Sequence, residues 1–209
     1  MTPRRQEFAD ALDEHGERFD VRLSRAQIAR LADYFELVER WNARLHLVAP
    51  CAPAEFATRH VLESLVALKH LPPDASVLDV GSGAGLPIIP CLVARDDLRA
   101  VLIEASAKKS VFLNEALRAL GLRDVARVIN MRFEETDAPD AQAVTCRALE
   151  RFTEMLPVLV AWSPPDAMLL LCGGHSLRAS IDTLSLPCEE TLMPGSERRY
   201  LFVVARPQT

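Results

Sequence analysis

The residues from Asp79 to Pro87 are the part of the chain best suited to bind a ligand. The run Ser76–Val80 has the apolar character of a buried strand, and glycines follow at positions 81, 83 and 85. Glycines permit a tight bend and let the backbone approach a bound molecule with no Cβ in the way. A dinucleotide-binding turn would have its third glycine at position 86, which is leucine here. The spacing therefore indicates a ligand-binding turn between a strand and a helix, but not one typical of NAD.

An acidic residue two positions before a GxGxG turn is the pattern of class I methyltransferases. Their cofactor, S-adenosylmethionine (AdoMet), has no pyrophosphate, and its ammonium group favours a nearby carboxylate. We therefore predict an AdoMet site built on Asp79, Gly81, Gly83 and Gly85. Two alternatives stay open on this turn alone: a glycine-rich bend that binds nothing, and a turn for another nucleotide cofactor.

Two further acidic positions lie where such a cofactor would need them. Glu104 ends the second predicted strand, where an acidic side chain can contact ribose hydroxyls. Phe133 and Glu134 follow the third strand, where an adenine could lie against the ring or hydrogen bond to backbone. A solvated glutamate at a strand end is the alternative for Glu104.

Methyl transfer from a sulfonium is an in-line displacement, which needs mainly positioning and desolvation of the two reactants. The Asn/Asp-Pro-Pro-aromatic loop of amino-group methylation is absent after the fourth strand, which ends at Cys146-Arg147. Cys146 lacks the preceding proline expected of a cytosine-C5 nucleophile, and we interpret it as a packed thiol. These features favour a nucleophile with a free lone pair, such as N7 of guanine, without choosing among such nucleophiles.

The elements around these residues predict an α/β fold of the class I, Rossmann-like type, with a mostly parallel sheet and helices on both faces. Residues 1–74 are predicted to form an N-terminal helical cap, with Ser24 and Gln27 as a capping box and Pro72-Pro73-Asp74 as its end. Residues 75–209 are predicted to form the AdoMet-binding core. Its predicted strands alternate with helices, as parallel sheets require: 76–80, 98–104, 125–129, 143–146, 167–171 and 200–205.

Composition narrows the class of protein. The 209 residues carry a net charge of −5, which gives no overall electrostatic footprint for nucleic acid but leaves a local basic face possible. The five cysteines form no CxxC pair, so we expect reduced thiols and neither disulfides nor a metal site. We expect no signal peptide and no membrane contact, since no apolar run approaches ~20 residues. A cytoplasmic protein, and most simply a monomer, is the expectation.

Several further motifs, in order along nearly the whole chain, resemble the bacterial small-subunit (16S) ribosomal RNA guanine-N7 methyltransferases, the RsmG or GidB family. They are Trp41-Asn42, the run Arg59 to Ser64, the glycine turn with its Leu86-Pro87 ending, Arg147-Ala148 and Glu197-Arg198. The resemblance implies that Gly81, Leu86, Phe133, Glu134 and Arg147 line the AdoMet site. It also implies that Ser64, Arg147 and Arg198 act near a target guanine, with 16S rRNA or the small subunit as partner.

The chain departs from the family pattern at several positions. His46-Leu47-Val48 follows the Trp-Asn pair where the family has Asn-Leu-Thr, Glu63 replaces an aspartate, and Ile88 replaces a glycine. Cys172 stands where the family usually has a lysine, a natural contact to phosphate or guanine. Two other hypotheses are therefore kept: a paralogue that acts on another substrate, and a catalytically silent AdoMet-binding module attached to ribosomes.

Overall fold

A seven-stranded, mostly parallel sheet forms the centre of the computed structural model, which describes residues 2–147, 149 and 151–205. The strands are β1 (Ser76–Val80), β2 (Arg99–Ile103), β3 (Ala126–Ile129), β4 (Ala143–Cys146), β5 (Met168–Gly173), β6 (Cys188–Leu192) and β7 (Tyr200–Val204). Their order in the sheet is β3-β2-β1-β4-β5-β7-β6, and β7 is antiparallel to both its neighbours. The chain changes direction across the sheet between β1 and β4, which is the point where ligands of such sheets bind.

The sequence predicted six of these strands within a few residues of their bounds and missed β6. The missed strand, Cys188–Leu192, forms the edge of the sheet and pairs only with β7 among the described strands. Its residues are exposed or half-buried, with Glu189 and Glu190 pointing into solvent. Since an edge strand buries little side-chain surface, its sequence lacks the apolar run that marks the central strands.

Helices cover both faces of the sheet. They are α1 (Pro3–His15), α2 (Arg25–Leu45), α3 (Pro53–Glu55), α4 (Glu63–Leu65), α5 (Ile88–Ala94), α6 (Ala107–Ala119), α7 (Phe152–Trp162) and α8 (His175–Thr183). At the start of α2 the predicted capping box is confirmed, because Ser24 and Gln27 exchange backbone–side-chain hydrogen bonds. No helix in the described part of the chain is both long and apolar enough to cross a membrane.

Between α3 and α4 the backbone forms a π-helix over Phe56–Leu62, which we call the π segment. The sequence predicted helical structure for this part of the cap but carried no sign of the wider π turn. A 3-10 helix, Val66–His70, completes the run. π-helices accommodate one extra residue per turn, are rare, and are frequent at functional sites.

One continuous apolar cluster joins the N-terminal helices to the sheet. Phe8 of α1 stacks on Phe35 of α2 with ring centroids 4.6 Å apart, and Phe56 packs against both. The same cluster includes Val77 of β1, whereas its neighbour Leu78 faces the cluster under α7 and α8. Adjacent residues of β1 thus serve opposite faces of the sheet.

Candidate active site

A cleft of about 520 Å³ opens at the carboxyl ends of β1, β2 and β4. Most of the candidate residues line it, together with residues that the sequence did not single out. Its lining consists of Leu47, Val48, His60, Gly81, Ser82, Gly83, Ala84, Leu86, Ile103, Glu104, Ala105, Lys109, Met131, Arg132, Phe133, Glu134, Arg147, Leu149, Arg151 and Met155. The structure therefore brings the glycine turn, the two acidic positions and Arg147 into one place.

The three glycines of the turn have different structural roles. All have positive φ, at 69°, 55° and 84° for Gly81, Gly83 and Gly85, so any other residue would be strained. A Cβ on Gly83 would meet only open space and a carbonyl oxygen 3.7 Å away, so its backbone is open to the cleft. A Cβ on Gly85 would overlap Ile89 and lie 3.2 Å from Leu113. Gly85 therefore serves close packing of the turn on α5 and α6, and it is not among the cleft-lining residues.

Asp79 is buried beneath the turn at 1% exposure. Its Oδ1 accepts a hydrogen bond from Thr145 Oγ1 at 2.7 Å, while Oδ2 has no partner in the described structure. Burial raises the pKa of this carboxyl to about 7, against the hydrogen bond from Thr145 that lowers it. An orphaned, buried carboxylate oxygen at the end of β1 is suited to a cationic partner such as an ammonium group.

Glu104 holds the shape of the cleft. Its Oε2 accepts from the backbone N–H of Gly83 at 2.8 Å, and its Oε1 accepts from that of Ser106 at 2.8 Å. The carboxylate therefore ties the glycine turn to the start of α6, where Ser106 caps the helix. An ionised carboxylate has about four acceptor positions, so two remain for donors such as ribose hydroxyls.

Phe133 and Glu134 lie at the far end of the cleft, in a short 3-10 turn after β3. Phe133 is buried, with its ring edge-on to Trp162 at a centroid distance of 5.4 Å. Met131 is 44% exposed and forms an apolar surface beside them. Met131 could not be recognised from the sequence, because a single methionine after a strand has no distinctive pattern.

Arg147, at the end of β4, is bound to the helical segments opposite it. Its guanidinium reaches the backbone of the π segment and lies 3.3 Å from Ser64 Oγ and 4.0 Å from a carboxylate oxygen of Glu63. The structure thus brings Arg147 and Ser64 together, although Ser64 is buried and does not line the cleft. Ala148, the second residue of the Arg147-Ala148 pair, lies outside the described residues.

Arg199, and not Arg198, reaches this cluster. Arg199 donates from Nε and Nη2 to one oxygen of Glu63, at 2.9 and 2.7 Å, and Glu63 is 5% exposed. Arg198 is exposed and is not among the residues that line the cleft. Arg198 and Arg199 have identical side chains, so the sequence alone does not show which one faces the cluster. The path of the backbone into β7 determines this.

Cys172 lies beside the same charged cluster, at the end of β5. It pairs in register with Leu201 of β7, and burial raises the pKa of its thiol to about 11. The charges of Arg147, Glu63 and Asp79 all act on it. A neutral thiol thus occupies this place, and Arg147 and Arg199 supply the cations nearby.

The Trp41-Asn42 pair also gains a structural role. The Asn42 side chain exchanges two hydrogen bonds of 3.0 Å with the backbone of Val48, and so fixes the loop after α2. Leu47 and Val48 of this loop form one wall of the cleft. They also line a second cleft, of about 660 Å³, between the loop and α2. No set of three His, Cys, Asp or Glu side chains suited to a metal occurs in the described ranges.

Solved structures similar to this chain share its fold. They include an RNA methyltransferase from Salinibacter ruber in complex with S-adenosyl-L-homocysteine, with a TM-score of 0.56 and 17% identity over 78% of this chain and 96% of that one. A ribosomal protein L11 methylase from Lactobacillus delbrueckii subsp. bulgaricus has a TM-score of 0.57 and 14% identity over 71% of this chain and 79% of that one. The fold is that of class I AdoMet-dependent methyltransferases, as the sequence predicted.

Sequence comparison identifies the family. The profile of the family described as rRNA small subunit methyltransferase G matches residues 27–189. Relatives named ribosomal RNA small subunit methyltransferase G include one from Sorangium cellulosum, 37% identical over 162 residues (74% of this chain, 67% of the relative). Another, from Xanthomonas euvesicatoria pv. vesicatoria, is 36% identical over 193 residues (88% and 89%). The chain belongs to the rRNA small subunit methyltransferase G family and is a methyltransferase, which confirms the resemblance found in its motifs.

Proposed function

We propose that this methyltransferase transfers a methyl group from AdoMet to N7 of a guanine in 16S ribosomal RNA. The observation that carries the proposal is one open cleft lined by the glycine turn, Glu104 and Arg147, with the buried carboxyl of Asp79 beneath the turn. The names of the relatives give the substrate class. A ribosomal substrate supports a cytoplasmic location, and a cleft lined by one chain favours a monomer.

The residues present are suited to AdoMet. Asp79 Oδ2 is an unpartnered buried acceptor beneath the turn, suited to the ammonium group, and the backbone of Gly83, which is open to the cleft, is suited to the methionine portion. Glu104 has acceptor capacity left for the ribose hydroxyls. Phe133, Met131 and Glu134 are proposed to surround the adenine, with Leu86 on the cleft floor. Gly85 supports the turn from behind.

The reaction requires little acid–base chemistry from the protein. AdoMet supplies an activated methyl group: the N7 lone pair forms the new N–C bond, the S–C bond breaks, and the positive charge passes from sulfur to the base. Guanine N7 carries no proton, so no general base is needed. The chain's own contribution is to orient the base, exclude water and hold both reactants in line. Arg147 lines the wall that performs this positioning, and Ser64 and Glu63, which do not line the cleft, support its guanidinium.

The rim of the cleft provides a local basic surface despite the net charge of −5. Lys109, Arg132 and Arg151 line the opening, with Arg132 paired to Glu134 and Arg151 to Glu154. Together with Arg147 they outnumber the lining carboxylates of Glu104 and Glu134. Cations placed around a cleft attract the phosphates of a nucleic acid, and the resulting affinity falls as salt rises. This arrangement supports an RNA substrate more than a small neutral molecule.

The first test is transfer of labelled methyl from AdoMet to small subunits lacking this modification, followed by nucleoside mass spectrometry. We expect 7-methylguanosine with the wild-type chain and none with Asp79→Ala, which should lose AdoMet binding. AdoMet binding with no methylated product would favour the silent module. A methylated product other than 7-methylguanosine would favour the paralogue, for which Cys172 in place of lysine is the specific motive.

A further inference from the structure

The terminal N–H groups of Arg147 are all used within the protein. Nη2 donates to the carbonyl oxygen of Arg59 at 2.9 Å and meets Nδ1 of His60 at 3.0 Å. Nη1 lies 3.3 Å from both the carbonyl oxygen of His60 and Oγ of Ser64. A guanidinium has five N–H groups, so only the one on Nε lacks a partner among the described residues. The ends of Arg147 therefore build the wall of the cleft and are not free to hold a base.

This contact fixes His60 in one tautomer. A guanidinium can only donate, so Nδ1 of His60 must accept and the ring proton must be on Nε2. Burial, with the positive charge of Arg147 acting in the same direction, lowers the pKa of His60 to about 3, so the ring is neutral. Phe56 supports the ring from one side at a centroid distance of 5.0 Å.

The Nε2–H group of His60 is available to a ligand. The ring lines the cleft, and Nε2 makes no hydrogen bond to a described residue. Unlike Asp79 Oδ2, Nε2 of His60 is not fully buried, so a ligand in the cleft can reach it. The neighbouring side-chain oxygens do not face the cleft: Ser64 Oγ donates to the carbonyl of His60, Glu63 binds Arg199, and neither residue lines the cleft. Of this cluster, His60 and Arg147 line the cleft, so the wall presents their donors, His60 Nε2–H and Arg147 Nε–H, and no side-chain acceptor from these residues.

We propose that His60 is a specificity-determining residue whose Nε2–H donates a hydrogen bond to O6 of the guanine that receives the methyl group. The inference rests on the proposed function and deepens it. The Hoogsteen edge of guanine presents two acceptors, N7 and O6, whereas that of adenine presents N7 beside an N6 amino donor. When N7 faces the methyl group, a donor-only wall pairs with O6 of guanine. The same wall would place a donor against the amino group of adenine, leaving both groups unpaired.

Two substitutions separate this role from a structural one. In His60→Asn the amide oxygen can replace Nδ1 as acceptor for Arg147, while the Nε2–H donor is lost. In His60→Gln the longer side chain can place an amide N–H near the position of Nε2. His15→Asn, at the end of α1, is the matched control, since His15 lies outside the cleft.

The measurement is kcat/KM for small subunits that contain guanine or 2-aminopurine at the methylated position. 2-Aminopurine keeps N7 but lacks O6. Wild type and His15→Asn should both lose about tenfold on this replacement, as expected for one hydrogen bond that leaves a partner unpaired. His60→Asn should lose about tenfold on guanine and show little further loss on 2-aminopurine. His60→Gln should recover part of the guanine rate.

AdoMet affinity and the melting temperature, measured on each variant, monitor folding. A His60→Asn variant that keeps the wild-type rate on guanine, or that still loses tenfold on 2-aminopurine, would overturn the role of His60 and leave the proposed function intact. If wild type forms no 7-methylguanosine, the proposed function fails and the inference fails with it. Should His60→Asn not fold, His60→Ala takes its place, and a His60→Ala enzyme that still loses tenfold on 2-aminopurine would refute the proposal.

Discussion

Asp79 is expected to lower the stability of the ligand-free protein and to raise its affinity for a cationic ligand. Its pKa is raised to about 7 because burial disfavours the carboxylate, and only one of its two oxygens has a partner among the described residues. At neutral pH the ligand-free protein therefore carries either an unpaired buried charge or an extra proton. A cationic ligand beside Oδ2 would favour the ionised form. Asp79 is therefore expected to destabilise the ligand-free protein and to stabilise the complex.

Replacing Asp79 by asparagine should stabilise the ligand-free protein at pH 8. Between its ordinary pKa of 3.8 and about 7, the folded state binds a proton that the unfolded chain releases. Stability from this group is thus complete below pH 3.8 and is lost as pH rises through 7. Asp79→Asn cannot ionise and keeps an oxygen for Thr145. We expect a gain of roughly 2 kcal/mol at pH 8, smaller at pH 5, after the cost of an unpaired amide.

Thermal unfolding at both pH values, with AdoMet titration calorimetry, checks this prediction. AdoMet affinity should fall by at least about tenfold in the same variant, since a charge-assisted hydrogen bond is lost. Asp97→Asn is a control of opposite sign, because the hydrogen bond from Arg95 lowers the pKa of Asp97, so that variant should lose stability at pH 8. An Asp79→Asn protein less stable than wild type at pH 8 would contradict our account of Oδ2.

The sequence identified candidate residues by their type and spacing, but it did not show the direction in which their side chains point. Asp79 and Glu104 were found because each ends a recognisable strand, and strand ends meet at one edge of a parallel sheet. The side of the chain on which Arg198 and Arg199 project depends on the turn before β7, which no local pattern encodes. The pairing of His60 with Arg147 joins residues 87 positions apart, so it exists only in the folded molecule.

The ion pair between Glu63 and Arg199 connects α4 to the start of β7, across 136 positions in the sequence. Glu63 is 5% exposed, so removing its partner would leave a nearly buried carboxylate without its closest cation. The second cation, Arg147, is 4.0 Å away. The pair therefore holds the end of the sheet against the helical segments that form the active-site wall.

We expect Arg199→Ala to lower the free energy of unfolding by about 2 kcal/mol, less than the 3–5 kcal/mol typical of a fully buried pair because Arg199 is half-exposed. Arg198→Ala, one residue away, should change it by less than ~0.5 kcal/mol, as for other surface positions. Urea unfolding of the two variants side by side makes the comparison. Equal losses would show that the Glu63 contact contributes nothing particular.

The accuracy with which each strand was predicted from the sequence depended on how deeply that strand is buried. The central strands carry apolar runs because both of their faces are covered, and their bounds were close to those observed. The edge strand β6 was missed because its residues stay exposed or half-buried. The π segment was missed for another reason: its residues have ordinary helical spacing, and its wider turn accompanies contacts made by Arg147 from β4.

At the scale of the whole molecule, the N-terminal helices and the sheet share one core. Phe8, Phe35 and Phe56 belong to the same cluster as residues of β1 and β2. Trp41 of α2 packs against Phe112 of α6, with ring centroids 6.0 Å apart. A boundary near residue 74 therefore separates two parts of the sequence that we expect to fold as one unit.

The two tryptophans, one on each side of that boundary, allow a direct test. Trp162→Phe leaves Trp41 as a reporter of the helical part, and Trp41→Phe leaves Trp162, at the end of α7, as a reporter of the sheet part. We expect fluorescence-monitored urea unfolding of each variant to coincide with its own far-UV circular dichroism transition, as two-state folding requires. A fluorescence midpoint separate from the dichroism midpoint would show that the two parts unfold independently.

The π segment also has a genetic consequence. Because the π segment holds one residue more than an α-helix of the same span, an in-frame deletion of one codon within residues 56–62 would let the backbone close into an ordinary α-helix and keep Glu63 and Ser64 in nearly the same orientation. The same deletion in an ordinary helix would shorten it by about 1.5 Å and rotate everything beyond it by about 100°. Such an allele is expected to yield a folded, expressed protein without the wide turn whose carbonyl oxygens bind Arg147, so that loss of function would arise without loss of protein.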